Sequence, residues 1–124
     1  MESGKKEAGF VFSKDMKLAY LLDFYVDLFD EHTAAVMRAY YEDDLSLAEI
    51  ATGEGISRQG VRHIIKKCEE HILFLEERLG LARLQSVKDE ALTELGEIRN
   101  SLPVGTADEI VSRIDEVIIK LKGV

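Results

Sequence analysis

The chain has 124 residues, of which 46% are apolar and 32% charged, with no tryptophan and a single proline. That composition favours a helical protein with long solvated faces over a β-sandwich, and the length suits one domain or one domain plus an extension. The formal net charge of −8 at pH 7 excludes long-range attraction to nucleic acid or anionic membranes, so any such contact must come from a local patch.

The cellular compartment is indicated by two features. Cys68 is the single cysteine and therefore cannot form an internal disulfide, which fits a reducing environment. The first 15 residues, MESGKKEAGFVFSKD, hold no apolar stretch long enough for a signal peptide or a membrane span. We therefore expect a cytoplasmic protein without membrane insertion.

The first half of the chain predicts a tail and two helices. Residues 1–14 carry Gly, Ser and Lys and are predicted to be a flexible N-terminal tail. From Met16 onward, apolar residues recur at helical spacing, with Asp15 as the N-cap. A second helix is expected to follow Asp30, which can cap it, and to end at the Asp43–Asp44 pair.

A short helix, a glycine turn and a long helix come next. Ser46 and Glu49 have the spacing of a capping box, and Gly55 supplies the positive φ that a tight turn needs. Ser57 is expected to cap the long helix, which runs to about Gly80. The predicted buried stripe of this helix consists of Val61, Ile64, Ile65, Cys68, Ile72, Leu75 and Leu79.

The remainder of the chain predicts an antiparallel helical hairpin. One helix spans about 81–100 and is broken by Pro103, and Thr106 is expected to cap the last helix. The apolar stripes of the two helices are Leu84, Ala91, Leu95, Ile98 and Leu102, followed by Ile110, Ile114, Val117, Ile118 and Leu121.

The order of features around the glycine turn is typical of a helix-turn-helix. In the DNA-reading form of this motif, the start of the second helix enters the major groove, where arginine pairs with guanine, glutamine with adenine, and lysine neutralises phosphate. The same side chains could equally form an ordinary solvated helix face. The candidate nucleic-acid-binding residues are Ser57, Arg58, Gln59, Arg62, His63, Lys66 and Lys67.

Three motifs carry a more specific signal: LLDFY at 21–25, YYEDDLSLAEIA at 40–51 and GISRQGV at 55–61. With them, residues 16–84 resemble the bacterial YlxM-like family, whose members are small helical proteins similar to region 4 of sigma factors. The resemblance implies a regulatory helix-turn-helix protein that serves the signal recognition particle pathway. It implies no catalytic residues.

Two positions depart from the usual pattern of such motifs. Glu54 stands where a Leu or Phe usually precedes the turn glycine, and it must tilt outward or find a partner because burying a lone carboxylate is costly. Gly60 stands where Ala or Thr is usual on the second helix, at a cost of about 1 kcal/mol. Together with Gly53, it indicates a looser motif than that of a dedicated DNA reader.

The sequence gives only weak signals for a metal site, a nucleophile or acid–base catalysis. His63 and His71 are eight residues apart, too far for ligation from one helix face, and His32 adds nothing to them, so we predict no metal site. Cys68 is expected to pack in the core rather than to act as a nucleophile. The carboxylates show no tuned acid and base pair. We predict neither a cofactor nor enzymatic activity.

The sequence thus predicts an all-α protein with a sigma region 4-like helix-turn-helix body over 15–80 and a C-terminal helical hairpin over 81–124. The leading hypothesis is a non-enzymatic regulatory protein that contacts RNA or a protein of the signal recognition particle machinery. A sequence-specific DNA-binding transcription regulator and a protein-binding adaptor without nucleic-acid contact are the alternatives. The apolar stripes beyond residue 80 must be covered, and we predict a homodimer formed through them.

Overall fold

Residues 15–124 are described by a computed structural model, and the predicted tail over 1–14 lies outside the described residues. The described residues form six α-helices and one short 3-10 turn, and contain no strand, so the predicted all-α fold class is confirmed. The chain divides into two compact units, one ending at Gly80 and one beginning at Leu81. Each unit is described by itself.

The bounds of the helices follow the local sequence signals closely. The first unit contains α1 (Met16–Tyr25), the 3-10 turn (Val26–Leu28), α2 (Glu31–Tyr41), α3 (Leu47–Glu54) and α4 (Arg58–Leu79). The second unit contains α5 (Leu81–Asn100) and α6 (Asp108–Lys122).

Side-chain caps define the beginnings of the helices in the first unit. The four predicted N-caps all accept a hydrogen bond from a backbone amide two or three residues onward; they are Asp15, Asp30, Ser46 and Ser57. Glu49 completes the capping box by accepting from the amide of Ser46 at 2.8 Å. At Asp30, the hydrogen bond from the Thr33 amide holds the pKa of the carboxyl below its ordinary value.

The core of the first unit forms where α4 packs against α1, α2 and α3. The largest fully buried side chains are Tyr25, Leu22, Met37, Ile50, Ile65, Ile72, Val36 and Val61. Of the predicted α4 stripe, Val61, Ile65, Cys68 and Ile72 are buried, as expected. The prediction for Leu79 is wrong: this side chain is 55% exposed, because it lies in the last turn of α4, where the described residues leave it uncovered.

Two tyrosine–glutamate hydrogen bonds fasten α4 to the helices packed on it. The Tyr41 hydroxyl donates to Glu69 Oε2, and the Tyr25 hydroxyl donates to Glu76 Oε1 at 2.6 Å. Burial raises the pKa of Tyr41, and the hydrogen bond to Glu69 raises it further. Burial also raises the pKa of Glu69 above its ordinary value, although the hydrogen bond from Tyr41 acts in the opposite direction. Polar groups at the edge of the core are therefore paired across helices.

The second unit is an antiparallel hairpin of α5 and α6. Arg99 Nε donates to Asp115 Oδ1 at 3.0 Å, and Lys88 Nζ donates to the Val124 carbonyl at 2.6 Å, so positions earlier in α5 lie level with positions later in α6. The pair with Asp115 raises the pKa of Arg99.

The start of α6 differs from the prediction at Thr106. The N-cap residue is Ala107, which makes no side-chain cap, and α6 begins at Asp108. The Thr106 hydroxyl instead donates to the Pro103 carbonyl at 2.6 Å, because the turn through Gly105, with φ of +95°, folds it back on the loop. The acidic residues of the first turn are present, as predicted, and they favour the positive end of the helix dipole.

Candidate nucleic-acid interface

The helix-turn-helix is formed by α3, the turn through Gly55 and the first half of α4. Gly55 ends α3 with φ of +72°, a conformation that residues with a Cβ rarely adopt. The next amide, that of Ile56, donates to the Ala51 carbonyl at 3.1 Å and closes the turn. The corner between the two helices is filled by the buried side chains of Ala51 and Val61. The predicted arrangement of helix, turn and helix is confirmed.

The candidate residues lie on the outside of this corner. Arg62 is half-buried, and the exposed members are Ser57, Arg58, Gln59, His63, Lys66 and Lys67. Within residues 15–124, none of Arg58, Lys66 and Lys67 forms a salt bridge with a carboxylate. The Ser57 oxygen is used in the cap of α4, where it accepts from the Gly60 amide at 2.9 Å. Ser57 therefore has a structural role, and Arg58, Lys66 and Lys67 face solvent.

Charge is divided sharply along α4. Residues 57–67 contain four lysines and arginines and no acid, whereas residues 68–79 contain four glutamates and one arginine. The first turn of α4 contains no acidic residue, although the first turns of α2, α3 and α6 all do. Arg58 lies in that turn, next to the positive end of the helix dipole, where a cation typically costs about 0.3–1 kcal/mol. The start of α4 is thus a local positive surface on an acidic chain.

The two departures from the usual motif have physical explanations in the structure. Glu54 was expected either to tilt outward or to have a partner, and it has a partner: its Oε1 lies 3.0 Å from His32 Nδ1. A Cβ on Gly60 would lie 3.3 Å from Ser57 Oγ and 3.7 Å from Ile56 Cδ1. Gly60 therefore permits close packing of the cap and the turn.

Comparison of the sequence with known protein families identifies the family of this helix-turn-helix chain. Residues 12–105 match the sequence model of the UPF0122 family, which is described as "Putative helix-turn-helix protein, YlxM / p13 like". The chain belongs to the UPF0122 family. The resemblance to YlxM-like proteins that the motifs indicated is therefore confirmed, and the family description names a helix-turn-helix protein rather than an enzyme.

Relatives from several bacteria carry the same family name. The UPF0122 protein of Clostridium botulinum is 34% identical over 97 residues, which cover 77% of this chain and 89% of that protein. The relative from Halalkalibacterium halodurans is 34% identical over 104 residues, covering 84% of this chain and 94% of the relative. The relative from Symbiobacterium thermophilum is 41% identical over 81 residues, covering 65% of this chain and 76% of the relative.

The remaining candidate features of this UPF0122 protein concern metal binding, the cysteine thiol and membrane crossing. No group of three or more His, Cys, Asp or Glu side chains in residues 15–124 could hold a metal ion. The buried Cys68 thiol has its pKa raised to about 12 by burial, so it is protonated at neutral pH. His71 packs edge-on against Phe29, with ring centroids 5.2 Å apart. None of the described helices is long and apolar enough to cross a bilayer.

Sequence reasoning missed an aromatic and basic strip that continues the outer face of α4. Lys67, His71, Phe74 and Arg78 are spaced four, three and four residues apart, so they share one face of the helix. The Arg78 guanidinium carbon lies 4.7 Å from the centroid of the exposed Phe74 ring, and His71 lies beside the same ring. The helical spacing was the signal that could have identified this strip.

Proposed function

We propose that this UPF0122 protein is a non-enzymatic regulatory protein that contacts RNA through the first half of α4. The observation that carries the proposal is the acid-free stretch from Ser57 to Lys67, in which Arg58, Lys66 and Lys67 are exposed, on a chain that is otherwise acidic. Such a group supplies phosphate contacts, and the free amides at the start of a helix favour anions as well.

RNA is favoured over duplex DNA by the charges on α3. When a helix-turn-helix docks on duplex DNA, its first helix crosses the sugar-phosphate backbone. In this chain α3 contains Glu49 and Glu54 and no lysine or arginine, so it would repel phosphates in that position. A loop or single-stranded segment of RNA can contact the start of α4 without meeting α3. The likeness to YlxM-like proteins supports the signal recognition particle as the source of that RNA, within the cytoplasm.

The proposal is tested by fluorescence anisotropy with labelled signal recognition particle RNA and a duplex DNA of equal length. We expect the wild-type chain to bind the RNA at low salt. Arg58→Ala/Lys67→Ala should weaken binding about tenfold. It should also reduce the slope of log affinity against log salt concentration by roughly 0.7 for each phosphate contact that is lost. Lys17→Ala/Lys122→Ala removes the same charge from exposed positions on α1 and α6 and should change affinity less than about twofold.

Each contrary outcome has a defined meaning. An absence of RNA binding at low salt, or equal losses in the two double variants, would refute the proposal. Tighter binding to duplex DNA would favour a sequence-specific transcription regulator. Retention of a protein partner that is indifferent to Arg58→Ala/Lys67→Ala, but lost on charge reversal at the exposed Asp23 and Asp27, would favour the adaptor.

A further inference from the structure

The second unit leaves most of its large apolar side chains uncovered. α6 has no buried residue, and Ala82 is the single buried residue of α5. Two helices share one seam and therefore cannot bury a full apolar face each. The exposed large apolar residues of the hairpin include Leu84, Val87, Ile98, Ile110, Val117 and Ile119. An apolar surface of this kind on a folded protein marks an interaction site.

Most of these side chains belong to one face of the hairpin. On α5, Leu84, Leu95 and Ile98 are separated by 11 and 3 residues, which is about three helical turns and one turn, so they share one side of the helix. Leu95 also lines a groove of about 500 Å³ between α5 and α6, whose apolar wall consists of Leu95, Ile110, Ile114 and Val117. The edge of the groove on α6 carries Arg113, Glu116 and Lys120. The result is an apolar face bordered by charge, which we term the hairpin face.

We propose that a second copy of this chain occupies the hairpin face, so that two hairpins form a four-helix bundle. With a twofold axis parallel to the helices, each α6 packs antiparallel on the partner's α5, in the same register as α5 and α6 within one hairpin. All four neighbouring pairs are then antiparallel, which is the up-down-up-down arrangement of four-helix bundles. One surface serves both copies, as an isologous interface requires.

Charges at the edges of the hairpin face fit this packing. The pair Arg99–Asp115 places Lys120 level with Glu94, and the pair Lys88–Val124 gives a level within two residues of it. Glu94 is exposed on α5 and is four residues from Ile98, so it borders the hairpin face there, as Lys120 does on α6. In the dimer, Lys120 of each copy lies against Glu94 of the other copy, so the ion pair forms twice.

The size of the hairpin face suits a dimer of moderate strength. α6 has 15 residues and is about 22 Å long, and two adjacent helices are about 20 Å wide. This footprint of about 440 Å² is roughly half of the ~800 Å² that each partner of a standard specific interface buries, and it falls in the range of weak, transient complexes. We therefore expect a dissociation constant on the order of micromolar. The dimer does not involve the first half of α4, so the inference goes beyond the proposed function and is tested without nucleic acid.

The first test is sedimentation equilibrium of the full chain from about 1 to 200 μM. We expect a dimer that Ile110→Glu/Val117→Glu converts to a monomer, because both positions lie in the groove and are 51% and 45% exposed in the single chain. The matched control is Ile119→Glu. Ile119 is 69% exposed but points to the opposite side of α6 from Ile110, so this variant should remain dimeric. A wild-type monomer at 200 μM would overturn the proposal, as would dissociation caused equally by Ile119→Glu.

The second test examines the charge contact. Lys120→Glu and Glu94→Lys should each raise the dissociation constant about threefold to tenfold, because each places like charges together at two symmetric contacts. The double variant restores opposite charges and should return the dissociation constant to within about twofold of the wild type. Circular dichroism confirms that each variant keeps its helices. A double variant no tighter than the single variants would overturn this packing of the dimer, even if the chain still dimerises.

Discussion

Replacement of Tyr41 by phenylalanine tests the pairing of α4 with α2. The Tyr41 hydroxyl donates to the half-buried carboxylate of Glu69, and Tyr41→Phe removes that donor while keeping the ring in place. A hydrogen bond to a charged group contributes about 1.5–3 kcal/mol, and its loss leaves the carboxylate partly desolvated. Water reaches the exposed half of Glu69 and replaces part of the interaction, so we expect the free energy of unfolding to fall by about 1–1.5 kcal/mol.

The assay exploits the distribution of aromatic residues. All four tyrosines and all five phenylalanines precede residue 80, and the chain has no tryptophan, so tyrosine fluorescence during urea unfolding reports on the first unit alone. Tyr20→Phe is the matched control. Tyr20 is exposed and its hydroxyl makes no hydrogen bond to the described residues, so this change should alter stability by less than about 0.5 kcal/mol. Equal stability of the Tyr41→Phe variant and the wild type would refute the reasoning.

The pH dependence of the same variant follows from the raised pKa of Glu69. Because burial raises this pKa in the folded state, ionisation of Glu69 opposes folding above the folded-state pKa, and the penalty disappears as the pH falls below the unfolded-state value. The hydrogen bond from Tyr41 lowers the pKa and so reduces the penalty. The loss of stability on Tyr41→Phe should therefore be larger at about pH 7.5 than at about pH 4.5. A larger loss at the lower pH would contradict this assignment.

Three further substitutions test the glycine turn, the core and the start of α4. Gly55→Ala should lower the free energy of unfolding by about 1 kcal/mol, because Gly55 has a positive φ. Gly53 lies within α3 with open space around it, so Gly53→Ala should raise the free energy of unfolding by about 0.5 kcal/mol. Thermal melts in which both variants shifted stability in the same direction would contradict this. Ile65→Ala should cost about 2–4 kcal/mol in urea unfolding because the side chain is fully buried, and Leu73→Ala, at an exposed position of the same helix, should cost less than about 1 kcal/mol. Arg58→Ala should stabilise the first unit by about 0.3–1 kcal/mol while it weakens RNA binding, and a loss of thermal stability would count against an unfavourable dipole contact at this position.

Features that depend on neighbours in sequence were predicted well. The caps at Asp30, Ser46 and Ser57 and the positive φ at Gly55 follow from side chains that act within three residues, so the sequence identifies them directly. The buried side of α4 follows from helical periodicity in the same way. Thr106 shows the limit of this reasoning: as an N-cap its hydroxyl would accept from a backbone amide of α6, but the loop geometry instead directs it to donate to the Pro103 carbonyl.

Features that depend on helix packing were not predicted. His32 and Glu54 are 22 residues apart, and Tyr41 and Glu69 are 28 apart, so each pairing follows from the angles at which helices cross. Periodicity also predicts that the candidate residues face outward, and six of the seven are exposed while Arg62 is half-buried. Their ligand does not follow from periodicity, because exposed cations of the same spacing serve phosphates, acidic proteins or water alike.

The chemistry of Cys68 has a practical consequence for experiments on this chain. A thiol with a pKa of about 12 that is also shielded from solvent reacts extremely slowly with maleimides or disulfide reagents at neutral pH. A cysteine introduced at an exposed position would therefore take up a spin label or fluorophore selectively, with the native residue left in place. Distances between labels on two copies, or between a label and a bound oligonucleotide, become measurable in an otherwise unaltered chain.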